Sequence, residues 1–304
     1  MNMLANLQNT LEAVAPFLTC TELLQVSLSG WGMHGDIEDA SASLIAHSGL
    51  RYDGDGRRGL SQLGKLHFLT EASLEFTWLL GGRISHVDGD PARITSSNPD
   101  PVHSARYIAY RTMEGDHDWS GTDQTAVVRD VVMSSGRHYA TFRASGQGVD
   151  FQYFYTWCGV IRPLSRRWSH SGLDEFSPTN PFLYESFLSE KTDAWANSDV
   201  HCAMYYSMEG SCVWSDWRGY GGKTEKFIEK GQFRSPFDER ELGLLLDLDE
   251  GTLTAYKGGT RLGVMMEGLA GEYVWVSHVL AQAHASPHRQ NVQIKRGDVP
   301  DKGV

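Results

Sequence analysis

Three short strands joined by two glycine turns constrain this chain more than any other stretch. They lie in Glu241–Met265, ELGLLLDLDEGTLTAYKGGTRLGVM. ELGLLLDLD is apolar in its middle and alternates at its end, TLTAY alternates throughout, and RLGVM follows. The breaks, Asp249-Glu250-Gly251 and Lys257-Gly258-Gly259, are tight-turn chemistry in which glycine supplies the positive φ that other residues resist. Strands this close can only pair antiparallel, so the stretch predicts a β-meander with one buried and one wet face.

The rest of the composition suits such a fold. The chain has 304 residues with 32 Gly and nine Trp, enough for one large β domain plus an extra piece. The net charge of −11 argues against general affinity for nucleic acid or anionic membrane, because phosphate binding needs Lys/Arg clusters; a local basic patch still leaves an acidic partner open. Cys20, Cys158, Cys202 and Cys212 form no C-x-x-C and sit among apolar neighbours. They read as buried thiols, which predicts a reducing, cytoplasmic or nuclear setting. No run approaches 18 apolar residues, and the first residues lack the basic start of a signal peptide.

Along the chain, Leu4, Leu7, Leu11, Val14, Ala15 and Leu18 fall at helical spacing. Thr21 is placed to cap a second helix carrying Leu23, Leu24, Val26 and Leu28, and residues 36–47 predict a third. Residues 53–59, DGDGRRG, look like a calcium loop, but Arg58 stands where an EF-hand needs Gly and Gly64 where it needs the bidentate Glu. The stretch reads as a linker, with a short helix over 60–69. Leu74, Phe76 and Trp78 predict a first strand, and residues 81–102 a long loop. Residues 105–110 read as a possible strand. TAVVRDVVM (125–133) and GRHYATFRA (136–144) predict a hairpin, and 150–163 a central strand. Residues 164–197, holding Pro178 and Pro181, read as an inserted loop with one helical turn. Further strands follow at 202–207, 212–214, 272–280 and 291–296, with a loose tail after 297.

Two resemblances follow from these residues. Gly243, Leu245, Asp247, Gly251, Thr252, Leu253, Tyr256, Lys257, Gly259, Leu262 and Gly263 resemble the C-terminal pattern of SPRY domains. Ser134, Gly136, His138, Tyr139 and Phe142, then Gly159, Val160, Ile161, Arg162 and Pro163, resemble two earlier blocks of it. The resemblance implies a mainly β, antiparallel β-sandwich of concanavalin-like type over residues 72–296, binding peptides or proteins through loops at one end. Separately, Phe17, Leu18, Glu22, Leu23, Leu24, Val26, Ser27, Leu28 and Trp31 resemble an F-box, without its Leu-Pro opening and with a short spacing to the Trp. That resemblance implies a substrate receptor of a cullin-RING ubiquitin ligase, docking on a Skp adaptor through Leu11, Phe17, Leu18, Leu23 and Leu24. A helical cap on the sandwich is the alternative for residues 1–50; for the whole, the alternatives are a SPRY scaffold or adaptor with no ligase role and a carbohydrate-binding or glycosidase-like sandwich.

Catalysis finds weaker purchase. Asp247 and Asp249 share one side of a strand, their Cβ atoms roughly 7 Å apart, within reach of a glycosidase pair; both also suit a hairpin turn. His284 and His288 are spaced i,i+4, but Ser286-Pro287 between them predicts a loop rather than a metal pair. There is no G-x-S-x-G, P-loop or H-E-x-x-H, and the apolar neighbours of Cys158 predict an inert thiol. We therefore expect no enzyme activity, cofactor or metal. Recognition favours Trp, Tyr and Arg. Those in predicted loops are Arg162, Arg166, Arg167 and Trp168, then Trp217, Arg218 and Tyr220; an aromatic floor with arginines suits a short peptide. Trp157, Trp275 and Phe142 are assigned to the core.

Overall fold

The structure, a computed structural model, describes residues 34–52, 60–70, 73–97, 121–147, 156–170, 172–206, 210–219, 223–226, 241–282 and 289–298. The F-box-like segment, the 105–110 strand, the His284/His288 pair, Tyr220, and most of the linker lie outside these residues.

Among the described residues, two seven-stranded antiparallel sheets form the body. Sheet I has the order β11 (Lys223–Lys226), β10 (Ser211–Ser215), β9 (Cys202–Tyr206), β8 (Thr156–Ile161), β15 (Val274–Gln282), β5 (Gly121–Val127), β2 (Trp78–Leu80). Sheet II has the order β14 (Thr260–Glu267), β13 (Thr252–Lys257), β12 (Leu242–Asp247), β7 (Arg137–Gln147), β16 (Arg289–Arg296), β4 (Asp90–Ser97), β3 (Ile84–Val87). The predicted meander is β12–β13–β14, with Leu246 opposite Leu253 and Ala255 opposite Gly263. Its turn glycines adopt the left-handed conformation, Gly251 at φ 67° and Gly259 at φ 82°.

Alternation decides which side chains go inside. Ala140, Phe142 and Ala144 of β7, with Leu244 and Leu246 of β12, face inward from sheet II. Cys158 and Val160 of β8, Ala203 and Tyr205 of β9, and Trp275 of β15 face them from sheet I in the same cluster. Phe142 meets Trp275 edge-on across the gap, ring centroids 6.0 Å apart. This is a β-sandwich core, mainly β as the sequence implies.

The helices plug one region of it. α1 (His34–His47) packs on α2 (Gln62–Thr70) through Ile37, Leu63 and Leu66. Phe68 and Leu69 of α2 enter the main core, and β1 (Leu50–Tyr52) pairs with β6 (Val131–Met133).

Several sequence expectations are corrected. TAVVRDVVM is not one strand, because it breaks after Val127 and resumes as β6. It makes no hairpin with β7 either: β5 belongs to sheet I and β7 to sheet II, so the turn at Gly136 (φ 76°) carries the chain between sheets. The 81–102 loop contains β3 and β4, joined by Asp88 (φ 53°) and Gly89 (φ 76°). That Asp-Gly pair, both at positive φ, is the two-residue turn whose twist matches flanking strands. Trp157 is not in the core; it lies half-buried on the outer side of sheet I, stacked on Tyr206 at 4.7 Å.

Candidate functional site

Both sides of sheet I are covered, and the second cover is the segment read as a loop. Residues 164–199 lie against the outward side chains of β8, β9 and β15, namely Ile161, Cys202, Met204, Val274 and Val276. Trp168, Phe176, Tyr184, Phe187 and Trp195 join them in a second apolar cluster. Three short 3-10 turns, Arg166–His170, Pro181–Leu183 and Asp193–Trp195, and one short helix, α3 (Tyr184–Leu188), shape it. Pro178 and Pro181 do not unravel this segment. They break it into turns, and the aromatics between them supply the packing. Phe187 sits centrally, 4.9 Å from Trp168, 5.7 Å from Phe176 and 4.5 Å from Trp217.

The predicted binding residues divide. Arg162 is fully buried at the end of β8. Its guanidinium donates to the carbonyls of Ala270 (2.8 Å), Glu272 (3.0 Å) and Ser198 (3.4 Å), and lies 4.1 Å over the Tyr273 ring. Burial lowers its pKa from the ordinary arginine value. Its five-donor fork thereby ties the strand to the two loops flanking the cover. Trp168 is buried, its indole N–H donating to Glu190 at 2.7 Å. Glu190 also accepts from Ser165 and pairs with Arg167, whose guanidinium bonds the Ser186 carbonyl and Ser189. Trp217 is buried at φ 54° and donates to the Pro178 carbonyl at 3.0 Å. Trp168 and Trp217 thus meet through Phe187, beneath the cover's surface. Arg166 and Arg218 are exposed; Arg218 stands 3.8 Å from the Asp199 carboxylate.

Two residues that the sequence reading passed over complete the picture. Phe182 is 78% exposed, yet its backbone is fixed: Pro181 precedes it, and its N–H donates to the Asn180 side chain at 3.0 Å. His201 is buried between Trp195 (5.3 Å) and Trp217 (5.0 Å), and its ring nitrogens find no hydrogen-bond partner among the described residues. Burial, with the Arg162 charge beside it, pushes its pKa down to about 4. The signal for the whole arrangement was the aromatic content of 164–197, which exceeds what a solvated loop needs.

The acidic turn residues are committed to local bonds. Asp247 accepts from the Glu250 N–H at 3.0 Å and pairs with Arg137 at 3.4 Å, while Asp249 accepts from the Gly136 N–H at 2.9 Å. They lock the β12–β13 turn against the start of β7. Burial pushes the Cys158 thiol up to about 12, far from a nucleophile's range. Among the described residues no cluster of three His, Cys, Asp or Glu side chains is placed to hold a metal. No described helix is long and apolar enough to cross a membrane.

No family model matches the chain, and no curated protein matches it. Solved structures do. The SPRY domain of human HERC1 is 14% identical, with 59% of this chain and 86% of that one covered, at a TM-score of 0.35. The TRIM65 PSpry domain is 14% identical, with 72% and 87% covered, at 0.36. A sialidase is 6% identical, with 69% of this chain and 16% of that chain covered, at 0.31.

Proposed function

We propose that this chain is a protein- or peptide-recognition module of the SPRY type, without catalytic activity, that presents its ligand surface on the cover of sheet I. The observation that carries this reading is the cover itself. An aromatic cluster fixes a surface that exposes Phe182 and Arg166, with Arg218 exposed in the loop after β10, and an apolar side chain carried on a fixed backbone spares the cost of ordering the chain on binding. On this reading Arg162, Trp168 and Trp217 act as the packed floor that sets the height and tilt of the surface. The test is affinity capture with the full chain against Arg166→Glu/Arg218→Glu and Phe182→Ser. Loss of the same captured proteins from both variants, with unchanged melting, supports the reading. Equal capture by all three sinks it.

The ligase reading extends this one. Residues 1–50 would dock on a Skp adaptor through Leu11, Phe17, Leu18, Leu23 and Leu24 and bring a cullin, leaving the sandwich to choose the substrate in the cytoplasm or nucleus. What supports it is the F-box-like order of residues from Phe17 to Trp31. Co-purification of Skp and cullin with the chain, lost on Leu23→Asp/Leu24→Asp, is the expected result. Absence of both from the wild-type complex ends that extension and leaves the recognition reading standing.

A further inference from the structure

Sheet II contrasts with sheet I. No described helix or turn packs on its outer face, and that face carries an organised basic patch. Register places Gln293 of β16 between Arg93 of β4 and Arg143 of β7. Two residues along, Lys295 stands opposite Thr141. These positions alternate with the core residues Ile94, Phe142, Val292 and Ile294, so they point outward. Arg143 and Lys295 are exposed and Arg93 half-buried. None of the three makes an ion pair or hydrogen bond among the described residues. The next rows offer Asn291, Thr95 and Ser145, and no carboxylate. In a chain of net charge −11, these three cations gather on one polar face, with the Glu241 carboxylate near Tyr139 at one edge and Glu75 and Asp90 in the cleft at the other.

We propose that this face docks an extended acidic segment of a partner protein. Strands about 4.8 Å apart put the Arg93 and Arg143 backbones roughly 10 Å apart, with Lys295 roughly 7 Å along the strand from the row they share. Alternate residues of an extended peptide fall on one side at roughly the same 7 Å spacing, so acidic residues at i and i+2 span the patch. Each guanidinium fork takes a carboxylate with two parallel bonds. Tyr139 lies flat over Gly243 beside the patch, in edge contact with Tyr256 at 5.7 Å, and gives the peptide's apolar atoms a surface. A polyanion fits less well. Binding a long phosphate backbone draws its strength from many released counterions, and three cations release few.

The test uses the full chain and a short fluorescein-labelled peptide alternating Glu with Ser, read by anisotropy. The expected result is binding that weakens with added salt, is absent for the Gln/Ser counterpart, and weakens about tenfold or more in Arg93→Glu/Arg143→Glu. Arg166→Glu/Arg218→Glu, on the other sheet's cover, leaves it unchanged, so this proposal and the recognition surface on the cover fail or stand separately. If the double variant does not fold, Arg143→Gln and Lys295→Gln at exposed positions decide, each weakening binding roughly threefold. No binding of the Glu/Ser peptide, binding indifferent to these substitutions, or tighter binding of single-stranded RNA at the same residues would overturn the proposal.

Discussion

At the scale of single residues, burial decides what a side chain is for. Arg162 looked like a ligand contact because it follows a strand in a run with Arg166, Arg167 and Trp168. Its fate depends on carbonyls more than a hundred positions away, those of Ala270 and Glu272, which no local reading reaches. Replacing it with Met would orphan those carbonyls and cost on the order of 3 kcal/mol in urea unfolding. Lys would not restore the loss, since an ammonium cannot fork to all of them. His201 predicts a pH dependence. Its folded pKa of about 4 lies below the ordinary 6.5, so the unfolded chain takes up the proton first. Stability from this group is whole above roughly pH 6.5 and falls as pH drops toward 4, by roughly 3 kcal/mol. Urea unfolding at both ends of that range checks it, and His201→Phe should flatten the difference. Glycines separate by what surrounds them. A Cβ on Gly159 would overlap the Ala203 carbonyl of the neighbouring strand and sit 2.6 Å from the Met204 Cα. Gly159→Ala should therefore cost about 3 kcal/mol or more, because backbone must move. The three atoms nearest a Cβ on Gly243 all belong to the Tyr139 side chain rather than to backbone, so Gly243→Ala should cost less in the same assay.

At the scale of elements, what was legible followed local rules. The meander was plain because alternation and two glycine turns are nearest-neighbour signals, and the Gly258-Gly259 turn behaves as its residue types demand. The Asp88-Gly89 hairpin carried an equally local signal and was obscured by Pro91 and the polar residues around it. The turn at Ser134–Gly136 misled, since a turn between two strands does not say whether they pair or part. The cover was hidden for another reason. Its order comes from packing on sheet I rather than from periodicity, and Phe187 shows it by touching Trp168, Phe176 and Trp217 from one position. Phe187→Ala should loosen the cover selectively. Hydrogen exchange is expected to speed at backbone amides of residues 164–199 while those of β7 and β12 hold, at a cost of about 3–5 kcal/mol if the cover unfolds with the whole. Uniform acceleration across both sheets would mean the cover is no separate layer.

At the scale of the whole molecule, three layers account for the architecture: sheet II, sheet I, and the aromatic cover. The sandwich was legible because inward alternation recurs on strand after strand. Which face would bind was not, because it depends on what lies over each sheet, and the same residue types serve as floor or as contact according to that. On the proposed function, the cover's outer surface meets a protein. Site-specific photo-crosslinking tests it most directly, with a benzophenone side chain placed at Phe182 and, as a control, at exposed Thr260 in the β13–β14 turn. The expected result is a discrete protein adduct from position 182 that Arg166→Glu/Arg218→Glu abolishes, and none from position 260. No adduct at 182, or the same adduct from both positions, would contradict it.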